Sequence, residues 1–294
     1  MSNSTFLGPI LAAAAIAFTG GMAHADDPVA APPPDKTDYT LFNPVPDSQL
    51  GPLCTDRPTK SNGPCSVPAG HFQLESDLLN ATFQRTDGVT TDTYLFTDPT
   101  LKLGLTQSTD AELSLVTVET VTTHDRVAGE STLTGIGDLF ARLKWNFIGA
   151  DGGDVSIALS PYVKLPTARH GIGDGAVEEG LLIPAQITLP AGWSLTLNGE
   201  VDALKNQDDT GRHANYIGIV SFSHPLTKAV TGSVEVWSDV NDDPSGTIRQ
   251  YSFDLALAWI PHALPNIQFD GGVNIGLNDA TPGAQVYVGL SRRF

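Results

Sequence analysis

The segment Leu139-Phe-Ala-Arg-Leu-Lys-Trp-Asn-Phe147 alternates its side chains with a period of two. Leu139, Ala141, Leu143, Trp145 and Phe147 fall on one face; Arg142, Lys144 and Asn146 fall on the other. A strand sends successive side chains to opposite sides, so this run presents one apolar and one charged surface. The pattern recurs. Trp193, Leu195, Leu197, Gly199 and Val201 alternate with Ser194, Thr196, Asn198, Glu200 and Asp202. Tyr251, Phe253, Leu255, Leu257 and Trp259 alternate with Ser252, Asp254, Ala256 and Ala258, and the stretch from Ile267 to Ile275 behaves the same way. No stretch of helical length from Gly70 to Phe294 carries the 3.6-residue apolar period of an amphipathic helix.

Alternation alone also fits a soluble β-sandwich. Strand length argues otherwise, because several runs reach about ten residues, as a tilted membrane-spanning strand requires, while soluble strands average about five or six. The turn rhythm agrees. Short connections at Gln107-Ser108-Thr109, Asp151-Gly152-Gly153, Pro190-Ala191-Gly192, His224 to Thr227 and Pro261 to Pro265 are assigned to the periplasmic side. Longer ones at Thr122 to Thr134, Thr167 to Ala176, Lys205 to Ala214 and Val240 to Gly246 are assigned outside. Under that assignment Trp145, Phe147, Trp193, Trp259 and Phe269 share the periplasmic interface, where amphipathic rings prefer to sit. The expected fold is all-β: a closed antiparallel up-and-down transmembrane β-barrel of about 12 strands, over residues 70–294, in the outer membrane of a Gram-negative cell.

Two segments precede the expected barrel. Residues 1–25 read as a secretory signal peptide. The apolar run Ile10 to Phe18 is too short to span a bilayer as a helix, and Ala23-His24-Ala25 has the small-x-small form of a cleavage site. The region before the run has no Lys or Arg. Residues 26–69 are rich in Pro, which breaks regular ladders. This segment holds both cysteines of the chain, Cys54 and Cys65, with Pro58, Gly63 and Pro64 between them. Turn residues make a closed loop feasible and an exported chain meets an oxidising compartment, so a disulfide is expected, with free thiols as the alternative. Two placements of the segment remain open: folded back into the lumen as a plug, which a lumen permits because it shields irregular backbone from lipid, or a mobile periplasmic tail.

The net charge of −17 disfavours nucleic acid as a partner, since phosphate binding needs a basic footprint. It leaves a membrane open, because a barrel shows lipid only alternate side chains.

Several motifs carry a family resemblance. Gly70-His-Phe-Gln-Leu-Glu-Ser, Gly135-Ile-Gly-Asp-Leu-Phe-Ala-Arg-Leu-Lys-Trp-Asn, Ser160-Pro-Tyr-Val-Lys-Leu-Pro-Thr, Gly171-Ile-Gly-Asp-Gly175 and Ser291-Arg-Arg-Phe294 occur in that order. Together they resemble outer-membrane transporter-like proteins of the family named for the MetA pathway of phenol degradation, over residues 54–294. The resemblance implies an outer-membrane barrel, links it by name to aromatic compounds, and supplies no catalytic residues. Phe294, with Leu290, Val288 and Val286, resembles the C-terminal signal read by the barrel-assembly machinery, and Arg292 departs from that alternation.

The charged residues expected on the lumen face are Lys102, Arg142, Lys144 and Lys164, opposed by Glu112, Glu200, Asp202, Asp254 and Asp270. They read either as a narrow polar channel or as a salt-bridged filling of side chains. His124, His170 and His213 fall in expected outer loops beside Asp125, Asp174, Glu178 and Asp208-Asp209, which reads as a solvated acidic rim rather than a metal site. Gly171 to Gly175 opens no helix and reads as a flexible loop, not a phosphate cradle. No Gly-x-Ser-x-Gly elbow occurs. The expected function is a passive channel or transporter for small solutes, hydrophobic or aromatic ones included, with no cofactor and no enzymatic activity. A structural or adhesive envelope protein and an outer-membrane lipid hydrolase are the alternatives. Expected partners are outer-membrane lipid, the barrel-assembly machinery and an unnamed small solute.

Overall fold

The computed structural model describes residues 38–150 and 152–294. The expected signal peptide at residues 1–25, residues 26–37 of the Pro-rich segment and Asp151 lie outside the described residues.

The described residues form fifteen strand segments: β1 (Phe72–Thr86), β2 (Val89–Phe96), β3 (Thr100–Thr106), β4 (Thr109–Leu115), β5 (Val118–Asp125), β6 (Gly129–Gly135), β7 (Leu139–Ile148), β8 (Val155–Leu165), β9 (Glu178–Thr188), β10 (Ser194–Lys205), β11 (Arg212–Pro225), β12 (Val230–Asp243), β13 (Gly246–Trp259), β14 (Ile267–Gly276) and β15 (Ala284–Arg293). All pair antiparallel in one sheet, and β15 pairs with β1 to close it. Three spans are each broken once at mid-length, between β2 and β3, β4 and β5, and β6 and β7, so the fifteen segments make a barrel of twelve spans. The breaks lie side by side, because β2 and β3 pair with β5 and β4, which pair in turn with β6 and β7. Pro99 lacks a ladder donor, and a Cβ on Gly137 would stand 2.8 Å from the Val116 side chain. Thr117 N–H to Thr97 O (3.1 Å) and Gly137 N–H to Val116 O (2.9 Å) carry the sheet across the gaps.

The outer face is a belt of half-exposed apolar side chains, among them Leu101, Leu113, Leu143, Val220, Val236, Leu257 and Val288. Inward neighbours on the same strands are buried and polar: Lys102, Glu112, Lys144, Ser221, Glu235 and Asp254. This is the inverse of a soluble core, and it is stable only where hydrocarbon replaces water outside. Trp145 and Phe147 pack with ring centroids 5.6 Å apart, as do Trp259 and Phe269, and Trp193 lies 4.7 Å from His224. All sit outward near the periplasmic end of the barrel.

The outer connections are shorter than the sequence suggested. β5 and β6 continue almost to a three-residue turn, and Pro244-Ser245 alone join β12 to β13. His124 and His213 therefore lie on strands, not loops. His124 faces Glu130 at 3.2 Å, and His213 is buried against Asn206 (3.0 Å) and Asp243 (3.2 Å). Among the described residues, 166–177 form the longest outer loop. They are tethered rather than free: Arg169 N–H reaches Ile136 O at 3.0 Å and Ala168 N–H reaches Asp138 Oδ1 at 2.9 Å, which covers the break between β6 and β7.

Candidate functional site

The inward face of the barrel does not enclose an empty pore. Residues 53–67 of the Pro-rich segment run through it, and their polar groups bond to inward side chains around most of the circumference. Thr55 meets Ser291 on β15 at 2.8 Å, Arg57 meets Asp270 on β14 at 2.7 Å, and Lys60 and Ser61 meet Glu235 on β12 at 3.1 Å each. Asn62 exchanges two hydrogen bonds with Asn198 on β10 (2.7 and 3.0 Å), and Val67 N–H donates to Asp110 on β4 at 2.7 Å. Cys54 and Cys65 are disulfide-bonded and close the loop that carries these groups.

The densest part of the lumen surrounds Asp56. Its carboxylate pairs with Lys102 on β3 and with Lys144 on β7 at 2.7 Å. Lys102 also reaches Glu75 at 2.7 Å, and Lys144 reaches Glu112 at 3.1 Å, which Arg142 approaches at 3.4 Å. Burial by itself would raise the Asp56 carboxyl; the two ammonium groups outweigh it and hold the acid well below the usual carboxylate range. The base of the segment is tied as well. His71 bridges Val45 O (2.7 Å) and Phe294 O (3.0 Å), and Arg293 reaches Gly51 O at 2.9 Å.

The nine candidate lumen residues all stand on the inner face, in four groups. Lys102, Glu112, Arg142 and Lys144 form the cluster at Asp56. Asp254 and Asp270 receive Lys60 (3.5 Å) and Arg57 from the segment. Lys164 is held near the outer rim by Glu178 (2.6 Å) and Asp174 (2.8 Å), so those two acids are paired rather than solvated. Asp202 accepts from Tyr162 (2.8 Å) and Asn215 (3.2 Å), and Glu200 lies two residues away on the same strand. Direct pairing between wall charges explains only part of this. Asp56, Arg57 and Lys60, which supply much of the compensation, were not among the residues singled out from sequence. Neither was Trp237, whose parity on β12 places it inward beside Glu235, against the outward Val234 and Val236. That parity was available in the sequence.

Beneath these contacts, on the periplasmic side, a gap of about 330 Å³ separates the segment from the wall. Thr196, Ser221, Ser223, Thr231, Ser233 and Gln268 give it neutral hydrogen-bonding groups, and Arg57 and Lys228 also border it.

A closed barrel with an apolar belt, an aromatic interface and a polar interior crossed by its own N-terminal segment defines an outer-membrane β-barrel of channel-like architecture. The family described as "Putative MetA-pathway of phenol degradation" matches residues 55–294, and the chain belongs to it. The crystal structure of an outer-membrane channel from Pseudomonas putida F1 has the same fold, with a TM-score of 0.58 and 14% identity, over 76% of this chain and 95% of that one. The translocator domain of the autotransporter NalP from Neisseria meningitidis aligns at TM-score 0.47 and 14% identity over 78% and 90%. The CymD monoaromatic hydrocarbon channel aligns at TM-score 0.41 and 8% identity over 76% and 87%. No curated protein matches the chain.

Proposed function

We propose that the protein is a passive outer-membrane channel, without enzymatic activity, that admits small solutes past its internal segment, aromatic compounds among them. One observation carries this reading: the gap of about 330 Å³ between residues 53–63 and the β10–β14 wall, where hydroxyls and amides outnumber the two charged side chains, Arg57 and Lys228. Neutral hydrogen-bonding groups exchange partners with water and with a passing hydroxyl at little cost, whereas separating a buried ion pair costs several kcal/mol. The family name supports aromatic solutes. In this reading the segment is the plug that sets the pore's width, outer-membrane lipid surrounds the belt, and Phe294 is the residue presented to the barrel-assembly machinery.

Planar-bilayer conductance of the whole protein, compared with a version lacking residues 26–69, tests the reading. A clear rise on deletion, with a smaller rise under reductant, supports a plug beside a narrow path. Unchanged conductance, together with protease cleavage of the segment in the folded protein, would make the segment a tail and leave this path without function.

A further inference from the structure

Lys60 occupies a cage. Its ammonium lies 4.1 Å from the centroid of the Trp237 ring, donates to Ser252 Oγ at 2.7 Å and faces Asp254 at 3.5 Å. Glu235 borders the same space and accepts the backbone N–H of Lys60 and of Ser61. An aromatic face, a carboxylate and a hydroxyl around one nitrogen, with a second carboxylate bordering, is a set suited to organic ammonium ions. The wall supplies the whole cage, Glu235 and Trp237 from β12, Ser252 and Asp254 from β13. The internal segment supplies only the ammonium.

The cage is not saturated by Lys60. Glu235, Asp254, Asn274 and Gln285 are cross-strand neighbours in one row. Asp254 is 2% exposed and Asn274 4%. Even so, both carboxylate oxygens of Asp254 and Oδ1 of Asn274 accept no hydrogen bond. Buried acceptors without donors are costly, and an ammonium carries three donors. Lys60 stands off at 3.5 Å, longer than a good charge-assisted hydrogen bond of about 2.7–2.9 Å. Burial also pulls its ammonium below the usual lysine range, against the opposing pull of Asp254 and Glu235. A cavity of about 210 Å³ adjoins the cage and extends to Thr281 and Pro282 in the outer connection between β14 and β15. The chain's charge of −17 attracts cations to the protein.

We propose that the cage is a binding site for a solute bearing a primary ammonium on a short apolar or aromatic stem, with Lys60 as its resident stand-in. The incoming ammonium takes the free acceptors of Asp254 and Asn274, its stem lies against Trp237, and Lys60 is displaced. The proposal rests on the channel reading for its physiological meaning and names one class of solute for it.

Isothermal titration calorimetry on the folded, detergent-solubilised protein tests it, with 2-phenylethylamine as the probe and 2-phenylethanol as its neutral counterpart near neutral pH. The amine binds and the alcohol binds about tenfold more weakly or not at all. Lys60→Met empties the cage and tightens amine binding by about tenfold; Asp254→Asn weakens it by about as much. Should Asp254→Asn fail to show the heat-modifiable mobility of a folded barrel, Trp237→Leu serves in its place, with the same expected weakening. Equal binding of amine and alcohol, an affinity unchanged by Lys60→Met, or no binding to either form would overturn the proposal. Calorimetry reads binding whether or not the protein conducts, so this failure is separable from failure of the channel reading.

Discussion

Two arcs of the barrel wall meet the same internal segment in different ways. On β3, β4 and β7, Lys102, Glu112 and Lys144 are almost wholly buried and close directly around Asp56. On β10 to β14 the segment is held at separate points, Asn198, Glu235, Asp254 and Asp270, and a hydroxyl-lined gap lies beneath them. The first arc works as an anchor, because moving one charge there leaves others buried and unpaired. In the proposed channel the second arc is the face past which a solute moves. In that reading buried charge fixes the segment, and a largely hydroxyl-lined face borders the path.

The largest effect expected is on the barrel that carries both arcs. Leu143→Arg places a charge in the lipid belt at a cost of about 2–4 kcal/mol near the midplane, and membrane assembly, read as heat-modifiable mobility, should be mostly lost. Lys144→Leu, one residue on, should assemble, but with a loosened segment, because it strips one cation from Asp56 and Glu112. Next, Asp56→Asn removes the shared counter-charge of Lys102 and Lys144. Breaking a buried pair costs about 3–5 kcal/mol, so protease should nick residues 38–69 and conductance should rise. If Asp56→Asn left both unchanged, the anchoring arc would lose its role. A smaller rise is expected for Cys54→Ser with Cys65→Ser, since closing a short loop contributes about 2–3 kcal/mol, mainly by restricting the unfolded segment.

The smallest effect expected is that of acid. The folded-state pKa of Asp56 is depressed, so its stabilising charge is present above the ordinary carboxylate range and is lost only as pH falls through the lower folded value. Conductance should hold steady between about pH 7 and pH 4, and a step upward near the ordinary aspartate value of about 3.9–4 would show that Asp56 is not held by its lysines.

Much of this was legible in the sequence, for a reason that particular residues make plain. Leu143 and Lys144 declare their faces because a strand has a period of two and the barrel has only two sides. Trp145, Trp193 and Trp259 declare their depth because the turns beside them set the phase. The partners of Asp56, Arg57 and Lys60 were not legible. They lie in a Pro-rich stretch without periodicity, and their contacts cross long separations, 213 residues from Arg57 to Asp270. Residues 122–134 read as a loop because polar side chains outnumber apolar ones there, yet cross-strand hydroxyl pairs such as Thr120 with Thr134 (3.0 Å) and Thr122 with Thr132 (3.2 Å) suit a strand above the apolar belt.

The separation of anchor from passage is tested most directly by blocking the passage alone. Ser221 is inward, lines the gap and bears no charge. In a Ser221→Cys protein with Cys54–Cys65 left oxidised, a bulky cationic thiol reagent applied during single-channel recording should cut the current by more than about half. The same reagent on Ser114→Cys, on the inner face of β4, should change it little. Current that persists after complete modification at Ser221, or that is blocked at Ser114 instead, would contradict the account.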